Sequence, residues 1–578
     1  MTTSFSIPIP SISFAFALSL IVATPAALPA QVASSFGSDT PATQQPDTAA
    51  LARDIPGIME VAHVPGLSMA VVQSGRVIWT GAFGTQSDSA QTPVDTETVF
   101  EAASLSKPVF GYIVLRMVDR GEFDLDRPLY EVLEYPRLAH DERYRRITAR
   151  MVLNHGTGLP NWGGEQLTLE FDPGTSLGYS GEGFVYLQKV IEHVTGRPLD
   201  ELARDEVFEP LGMTRSSFSW QERFAGNAAH ARDWLWRVEP IKQYAEANVA
   251  GSLVTTATDY ARFVAAVVNG TGLSPDVWEA FLAPEREGNP GTYFGLGIGV
   301  ADGPSAPIFF HGGNNDARFT SFMFGDIETG NGFVYLTNSN EGTTLVEAMI
   351  ERVMGEAPGL GDIRHDDPRQ IASLSVQHAA VTRGAVAASE EFRKTRADEN
   401  SRLSADQAMG LAEILAQLGF APLTIEVLDS AAGDFPDSAR LHLARGDALQ
   451  SAGEHQAAVA SYRRALALGP DDEEVRRRIL WTEDRLAADA DPVHVPLSTL
   501  ESYVGRYEAR HVSLREGRLY YQREGNPEHQ LIPLAQDLFA LSGSQTFRLR
   551  FVGDGERPAA KIIGIYSDGR TDESVRSR

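Results

Sequence analysis

Residues 47–360 combine two hydrophobic patterns, one typical of strands and one typical of helices. Segments 66–72 and 332–336 are alternating apolar segments typical of strands, whereas segments 109–120 and 184–194 repeat apolar residues at helical spacing. A regular strand–helix–strand repeat is not evident in this part of the sequence. The pattern therefore predicts a mixed α+β domain over 47–360.

Segment 355–369 is rich in Gly, Pro and Asp and predicts a domain boundary. The composition and the hydrophobic pattern of the sequence change after it. Over 361–490 the sequence is alanine-rich and helical, with a 34-residue period. Five pairs of residues carry this period: Leu415 and Leu449, Gly419 and Gly453, Leu428 and Tyr462, Ala431 and Ala465, and Pro436 and Pro470. The period resembles that of tetratricopeptide helical pairs, and an ordinary alanine-rich helical hairpin is the alternative. Because two such repeats bury little apolar surface alone, we expect flanking helices at 367–395 and 472–487.

The last part of the chain has a third pattern, made of short alternating runs such as 512–514 and 547–551 with glycine-containing turns between them. These runs predict a small antiparallel β-domain, similar to a barrel, over 497–578. The sequences YVGRYE and LIPLAQDLF in this part resemble the lipocalin-like module that is often appended to serine hydrolases.

The first residues of the chain predict a cleaved secretory leader at 1–33, followed by a polar linker at 34–46. An apolar stretch at 12–23 is followed by small residues, as expected near a signal-peptidase site. This stretch is shorter than the ~20 residues that span a bilayer. No Lys or Arg precedes Arg53, so the usual positive start of a leader is missing, and an uncleaved membrane anchor is the alternative. We expect a periplasmic or secreted protein without a stable membrane span.

The charge and the composition of the chain exclude or disfavour several classes of function. The chain has 50 Lys and Arg against 77 Asp and Glu, and the net charge of −27 disfavours binding to nucleic acid or to anionic lipid. The sequence contains no Cys, which excludes disulfides, thiolate metal sites and a cysteine nucleophile. Neither an H-E-x-x-H motif nor an acidic EF-hand loop is found. We therefore expect chemistry based on oxygen and nitrogen groups, with no cofactor and no metal.

Ser104 and Lys107 form the candidate catalytic motif, S-x-x-K, at the start of a helical pattern. Residues three apart on a helix share a face, with Cβ atoms ~5–6 Å apart, so the amine can reach the hydroxyl. A serine hydroxyl is a weak nucleophile until a base removes its proton. Lowering the pKa of a lysine from ~10.4 to ~7 for this task takes roughly 4.6 kcal/mol. The motif alone is weak, because this spacing arises by chance in most long chains.

Two downstream motifs strengthen the interpretation of the Ser104 motif. Tyr179 precedes a predicted helix, and His311 and Gly313 follow an apolar strand-like run. In this order the motifs resemble those of the serine β-lactamase and penicillin-binding-protein superfamily, specifically its class C-like branch with S-x-x-K, Y-x-N and K/H-x-G. Further matches are LNHGTGLP, FDPGTSLGYS, EPLGMTRSSF, AGSLVTTATDYARF and FGLGIG, and together they cover about residues 50–345.

The resemblance implies a catalytic domain in which an antiparallel sheet is flanked by helices and joined by an all-helical lobe. It implies that Ser104 is the acylated nucleophile and that Lys107 exchanges its proton. Tyr179 is implied to move a proton between the nucleophile, the leaving group and water. The backbone N–H groups of Ser104 and Asn314 are implied to form the oxyanion hole, where the loss of one donor typically costs ~2.7–4 kcal/mol in the transition state.

The resemblance also implies that His311, Gly313, Asn314 and Ser180 line the substrate and oxyanion side of the site. Two departures bear on the substrate. Gly181 stands where the family usually has Asn, so an amide side chain that would bind the acyl-amide group of a substrate is missing. His311 replaces Lys, and a histidine of ordinary pKa ~6.5 is mostly neutral at pH 7, so it holds a carboxylate less firmly. Both changes favour an ester or small acyl substrate over a β-lactam, and a D-amino-acid peptide stays open.

Several other polar residues have simpler interpretations. Residues 174–178 spell G-x-S-x-G, but a turn rather than a buried strand precedes them, so we interpret them as the loop that delivers Tyr179. We expect Ser106 to be a helix-surface or site-lining hydroxyl and His155 to be a structural hydrogen-bonding residue. Glu182 is expected to favour the start of its helix, and a polar site wall is the alternative.

These observations predict an exported serine hydrolase that forms an acyl-enzyme on Ser104, either an esterase or a D-amino-acid peptidase or carboxypeptidase. The alternatives are a weak β-lactamase and a non-catalytic penicillin-binding or peptide-binding scaffold. The expected partner is a small ester, amide or peptide substrate, and the repeats are expected to bind a peptide or protein or to dock the catalytic domain. The predicted architecture is multidomain α+β: a β-lactamase/transpeptidase-like domain, then helical repeats, then a small β-barrel-like domain.

Overall fold

The computed structural model describes residues 46–88, 90–233, 235–303, 305–355, 368–469, 472–544, 546–553, 557–567 and 569–577. The predicted leader at 1–33 and all but the last residue of the predicted linker at 34–46 lie outside these ranges. The described residues, from 46 onward, belong to one compact unit.

The first part of the described chain contains twelve strands. They are β1 (Gly66–Gln73), β2 (Arg76–Gly84), β3 (Phe100–Glu101), β4 (Ala231–Arg232), β5 (Val238–Glu239), β6 (Val254–Thr255), β7 (Arg286–Glu287), β8 (Thr292–Phe294), β9 (Gly299–Ala301), β10 (Ile308–Asn315), β11 (Phe319–Asp326) and β12 (Asn331–Thr337). Eight of them form one antiparallel sheet in the order β2-β1-β12-β11-β10-β9-β8-β7. The register pairs Leu67 with Thr337 and His311 with Met323.

Helices cover both faces of this sheet. They are α1 (Thr48–Val61), α2 (Ser106–Asp119), α3 (Ala149–Leu153), α4 (Gly181–Thr195), α5 (Leu199–Ala203), α6 (Glu209–Leu211), α7 (Ala257–Val268), α8 (Pro275–Phe281) and α9 (Val346–Met354). Met69 of β1 belongs to the core that includes α1 and α9, whereas the next residue, Ala70, belongs to the core that includes α2, α4 and α7. Because both faces are covered, β1 reads as a nearly continuous apolar run.

The second part of the described chain is helical. Its helices are α10 (Pro368–Arg383), α11 (Ala385–Ala397), α12 (Ala405–Gln417), α13 (Ala421–Asp434), α14 (Ala439–Ser451), α15 (His455–Leu468), α16 (Glu473–Ala490) and α17 (Leu497–Tyr503). The starts of α12 and α14 are 34 residues apart, as are those of α13 and α15. Gly446 lies against the ring of Tyr462, where a Cβ atom would not fit. The helical period is therefore present, and the tetratricopeptide assignment stays a prediction.

The last part of the chain is a second eight-stranded antiparallel sheet. Its strands are β13 (Gly505–Tyr507), β14 (Arg510–Arg515), β15 (Arg518–Arg523), β16 (Glu528–Pro533), β17 (Leu538–Leu541), β18 (Phe547–Val552), β19 (Lys561–Tyr566) and β20 (Thr571–Val575). Their order follows the sequence, and a single bridge from Tyr507 to Arg576 brings the two ends together. The sheet therefore nearly closes into a barrel.

The predicted multidomain fold class is confirmed by this sequence of a mixed α+β part, a helical part and a barrel-like sheet. The domain bounds and the lipocalin-like assignment stay predictions. Within the described ranges, no helix is both long enough and apolar enough to cross a bilayer.

Candidate active site

Ser104 lies in a short 3-10 turn, Ala103–Leu105, directly before α2. Ala103 adopts a φ of 51°, a left-handed conformation that is uncommon for a residue with a side chain. Ser104 is partly exposed, whereas its neighbours from Glu101 to Phe110 are buried. The strained turn therefore presents the Ser104 hydroxyl at the surface of a packed core.

The amine of Lys107 points at this hydroxyl from the first turn of α2. Its Nζ atom lies 3.0 Å from Oγ of Ser104 and donates to the carbonyl oxygen of Ala250 at 2.7 Å. The side chain is only 1% exposed, and burial lowers the pKa of Lys107 to about 7. A substantial fraction of the amine is therefore neutral near pH 7 and able to accept a proton.

The phenol of Tyr179 is the second group beside Ser104. The Tyr179 and Ser104 side chains interact, and Nζ of Lys107 lies 4.8 Å from the centre of the Tyr179 ring. Burial raises the pKa of Tyr179 above its ordinary value, and this effect outweighs the opposing effect of the Ser104 side chain. The phenol is therefore protonated at neutral pH and can donate a proton.

His155 holds the Tyr179 ring in place. The two rings stack with their centres 4.2 Å apart, and the backbone N–H of Ser180 donates to Nδ1 of His155 at 3.1 Å. Burial holds the pKa of His155 well below its ordinary value, with a further contribution from the charge of Lys107. His155 is therefore a neutral support for Tyr179, in agreement with the structural role predicted for it.

Strand β10 forms the wall opposite Tyr179. A Cβ atom on Gly313 would lie 2.6 Å from the carbonyl oxygen of Ala102 and 3.1 Å from Cβ of Ala103, so only glycine lets the strand approach the Ser104 turn this closely. His311 shares this face of the strand, because alternate residues point the same way. Its ring centre lies 6.4 Å from that of Tyr179.

His311 carries a buried hydrogen-bond acceptor that has no partner in the described part of the chain. Its Nδ1 atom lies 2.7 Å from the carbonyl oxygen of Gly312, which requires the proton on Nδ1. Nε2 is then a lone-pair acceptor, and it is buried without a hydrogen-bond partner. Burial, followed by the charge of Lys107, lowers the pKa of His311 to about 3. The imidazole is therefore neutral throughout the physiological range.

Asn314 lies beside Gly313 on the same strand. Strand β9 pairs with β10 only at residues 308–310, so the β9-facing edge of β10 has no strand partner at Asn314. The Asn314 side chain is used elsewhere, because its Oδ1 atom accepts from the N–H of Ala317 and its Nδ2 atom donates to Asn340. The oxyanion role of the Asn314 backbone stays a prediction.

Three further polar residues near the site make contacts within the fold. The buried hydroxyl of Ser180 donates to the carbonyl of Pro160 at 2.9 Å and caps α4 by accepting from the N–H of Gly183. Its hydroxyl is thus used by the fold, which argues against the predicted substrate contact. Ser106 is fully buried rather than at a surface, and its Oγ atom donates to the Ala103 carbonyl. Glu182 lies in the first turn of α4, as expected, and its carboxylate also forms an ion pair with Arg137.

One contact at the site was missed in the sequence, namely that of Lys107 with the Ala250 carbonyl. Asn315 supports this contact by donating from Nδ2 to the next carbonyl, that of Gly251, at 3.0 Å, and to buried Glu101 at 2.7 Å. The matching segment AGSLVTTATDYARF marks this loop as part of the resemblance, but no local pattern predicts which carbonyl faces the lysine. In the described part of the chain, no cluster of His, Asp and Glu is arranged to hold a metal ion.

Comparison with known proteins places this geometry among serine hydrolases. A family model described as Beta-lactamase matches residues 51–355, which is more than half of the chain. Penicillin-binding protein 4 of Amycolatopsis lactamdurans is 26% identical over 336 residues, which cover 52% of this chain and 87% of that protein. Unguisins hydrolase ungD' of Aspergillus campestris is 24% identical over 51% of this chain and 63% of its own length.

An esterase and a solved structure give further matches. Esterase EstB of Burkholderia gladioli is 30% identical over 217 residues, which cover 31% of this chain and 55% of that protein. The crystal structure of D-alanine carboxypeptidase AmpC from Burkholderia cenocepacia has a TM-score of 0.47 and 18% sequence identity, over 53% of this chain and 98% of that one.

Proposed function

The chain belongs to the β-lactamase family of serine hydrolases, and from that premise we propose that it is an exported hydrolase of uncharged esters that works through an acyl-enzyme on Ser104. The observation that carries the acyl-enzyme is the 3.0 Å contact between the buried Lys107 amine and Oγ of Ser104. A lysine with a pKa near 7 meets the requirement for a general base at neutral pH.

In the acylation step, the neutral amine of Lys107 accepts the proton of Ser104 while Oγ attacks the ester carbonyl carbon. The carbonyl oxygen becomes an oxyanion, and in this proposal the backbone N–H groups of Ser104 and Asn314 stabilise it. When the intermediate collapses, the bond to the alkoxy oxygen breaks. Tyr179 donates its proton to that oxygen, and the ammonium of Lys107 returns a proton to Tyr179.

In the deacylation step, water attacks the acyl carbon. Tyr179 and Lys107 together remove the proton of the water and return one to Oγ of Ser104, which restores the resting enzyme. The short distance from Lys107 to the Tyr179 ring and the interaction between the Tyr179 and Ser104 side chains support this shared role. Water and the ester supply every atom of the products, so the cycle balances without a cofactor.

The preference for uncharged substrates rests on His311. A carboxylate offers only acceptors, and Nε2 of His311 is itself an acceptor, so the two repel each other rather than form a hydrogen bond. With its pKa lowered to about 3, His311 also does not supply a positive charge at neutral pH. Substrates with a free carboxylate against this wall, such as D-alanine peptides and penicillins, are therefore disfavoured.

A neutral peptide is the second candidate substrate. The unpartnered Nε2 atom of His311 can accept a hydrogen bond from an amide N–H, which favours peptides whose C-terminus is blocked or cyclic over those with a free carboxylate. The similarity to a penicillin-binding protein and to an unguisins hydrolase supports keeping this candidate.

The proposed export and partners rest on less direct observations. The apolar stretch at 12–23 and the similarity to penicillin-binding proteins support a periplasmic or secreted location. The 34-residue helical period supports a peptide-docking or protein-docking role for α12 to α15.

A matched substrate panel tests this proposal. We expect Ser104-dependent hydrolysis of p-nitrophenyl acetate, slower cleavage of an amidated D-alanyl-D-alanine peptide, and the slowest turnover for the free-acid peptide and for nitrocefin. Ser104→Ala should abolish all these rates, whereas Ser176→Ala, at an exposed hydroxyl in the G-x-S-x-G turn, should leave them unchanged. Faster cleavage of the free acid than of the amide would overturn the role given to His311.

A further inference from the structure

The start of helix α4 has no space for the side chain that its motif usually carries. A Cβ atom on Gly181 would lie 2.9 Å from the carbonyl oxygen of Asn161 and 3.0 Å from Cη2 of Trp162. The loop that contains Asn161 and Trp162 therefore fills the space beside Gly181, which lies two residues after Tyr179 in the chain.

Hydrogen bonds fix this loop against the start of α4. The backbone N–H of Gly181 donates to both the carbonyl and the side-chain oxygen of Asn161, at 3.1 and 3.0 Å. The N–H of Glu182 also donates to the Asn161 carbonyl, at 3.2 Å, and the Ser180 hydroxyl donates to the carbonyl of Pro160. The loop is therefore held by several bonds to three consecutive residues of the α4 cap.

An ion pair holds the other side of the same loop. The buried carboxylate of Glu182 accepts from the N–H of Gly163 at 3.0 Å and binds Arg137 through both oxygens. Arg137 in turn donates to the carbonyls of Gly163 and Gly164 at 3.1 and 2.6 Å. This bidentate geometry restrains the loop directly after Trp162.

Trp162 itself is left open to solvent. Its exposed fraction is 57%, and within the described part of 51–355 it is the only large aromatic residue that is mostly exposed. An indole on a rigid loop exposes a large apolar surface that loses little conformational entropy on binding. Apolar residues beside a few fixed polar groups are typical of small-molecule sites.

We propose that Trp162 is a specificity-determining residue, whose indole stacks against a flat apolar group of the substrate. This inference rests on the proposed ester hydrolase activity at Ser104, and it adds the class of substrate: esters that carry an aromatic ring on the acyl or the alcohol side. The loss of an amide at Gly181 and the gain of an exposed indole in its place make this part of the cleft apolar.

Four esters and three variants test the proposal by a pH-stat assay of the full-length protein. The substrates are ethyl acetate, ethyl phenylacetate, ethyl cyclohexylacetate and benzyl acetate. For Trp162→Ala we expect KM to rise about tenfold for at least one of the two aromatic esters, ethyl phenylacetate and benzyl acetate, with kcat within twofold. Ethyl acetate and the cyclohexyl ester should change less than threefold. Trp162→Phe should recover most of the loss, because it restores a flat ring.

Ile78→Ala, at an exposed apolar residue on edge strand β2, is the matched control and should leave all four esters unchanged. The ester with the Trp162-dependent KM identifies whether the ring belongs to the acyl or the alcohol side. An equal change in KM for all four esters, or no change in KM for either aromatic ester, would overturn the role of Trp162. Wild-type protein that hydrolyses no ester would instead contradict the proposed function, so the two failures are distinguishable.

Discussion

Two regions of the molecule bury a cation, and they use it in opposite ways. In the catalytic domain, Lys107 is 1% exposed and its amine contacts only a hydroxyl and a carbonyl among the bonds described. At the junction of α16 and the barrel, Arg548 is also buried, but it pairs with Asp484 at 2.7 Å and lies over the Trp481 ring at 4.4 Å. Burial lowers the pKa of both groups.

The difference lies in the partner and in the chemistry of the side chain. An amine without a carboxylate partner is brought to a pKa of about 7 and becomes a base, at a cost in stability. A guanidinium starts from a pKa so high that it stays charged, and its planar donors bind the carboxylate and the carbonyl of Trp481 together. In the proposed mechanism the first arrangement supplies reactivity, whereas the second joins two parts of the fold.

Lys107→Met is expected to have the largest effect among the tests of this comparison. We expect kcat/KM on p-nitrophenyl acetate to fall about a thousandfold, because Ser104 loses its base. The free energy of unfolding should rise by about 2 kcal/mol in urea titration at pH 7, because the cost of burying the amine is removed. A variant that loses activity and also unfolds more readily would contradict the unpaired state of Lys107.

The pH dependence of the wild-type enzyme is the next largest effect. In the proposed mechanism the active form requires neutral Lys107, so kcat/KM should rise about tenfold per pH unit below the pKa of about 7 and level off above it. His311, with a pKa of about 3, should not contribute above pH 5. An initial-rate profile from pH 5 to 9 checks this, and a bell centred near pH 6 would instead indicate a titrating histidine.

Arg548→Met tests the structural role of the second buried cation and has the smallest expected effect. We expect the free energy of unfolding to fall by about 1–2 kcal/mol, since Asp484 loses its partner at a partly exposed position. The kcat/KM value should stay within twofold of wild type. Arg548→Lys, which keeps the charge but not the planar geometry, should recover part of the loss in the same urea titration. A large loss of activity would show that the barrel acts on the site.

Local sequence patterns predicted the parts of the site that depend on neighbours along the chain. The spacing of Ser104 and Lys107 predicted that the amine reaches the hydroxyl, and the two atoms lie 3.0 Å apart in the structure. The strand and helix patterns of 47–360 and the short alternating runs of 497–578 likewise predicted a mixed α+β part and a barrel-like β-part.

The parts that sequence did not predict depend on contacts between distant residues. Lys107 contacts the Ala250 carbonyl across 143 positions of the chain, and Tyr179 stacks on His155 through a loop that no periodicity describes. The left-handed conformation of Ala103 was also unpredictable, because tertiary packing rather than residue type imposes it. The proposed role of Trp162 likewise depends on a contact between distant parts of the chain, because its loop fills the space beside Gly181.

The most direct test of the central claim is covalent labelling of the intact protein with a fluorophosphonate, read by mass spectrometry. We predict a single adduct per chain, assigned by peptide mapping to Ser104, with no adduct on Ser104→Ala and an unchanged adduct on Ser176→Ala. Labelling should follow the same rise with pH as catalysis, since both need neutral Lys107. An adduct on another residue, or an equal adduct on Ser104→Ala, would contradict the account.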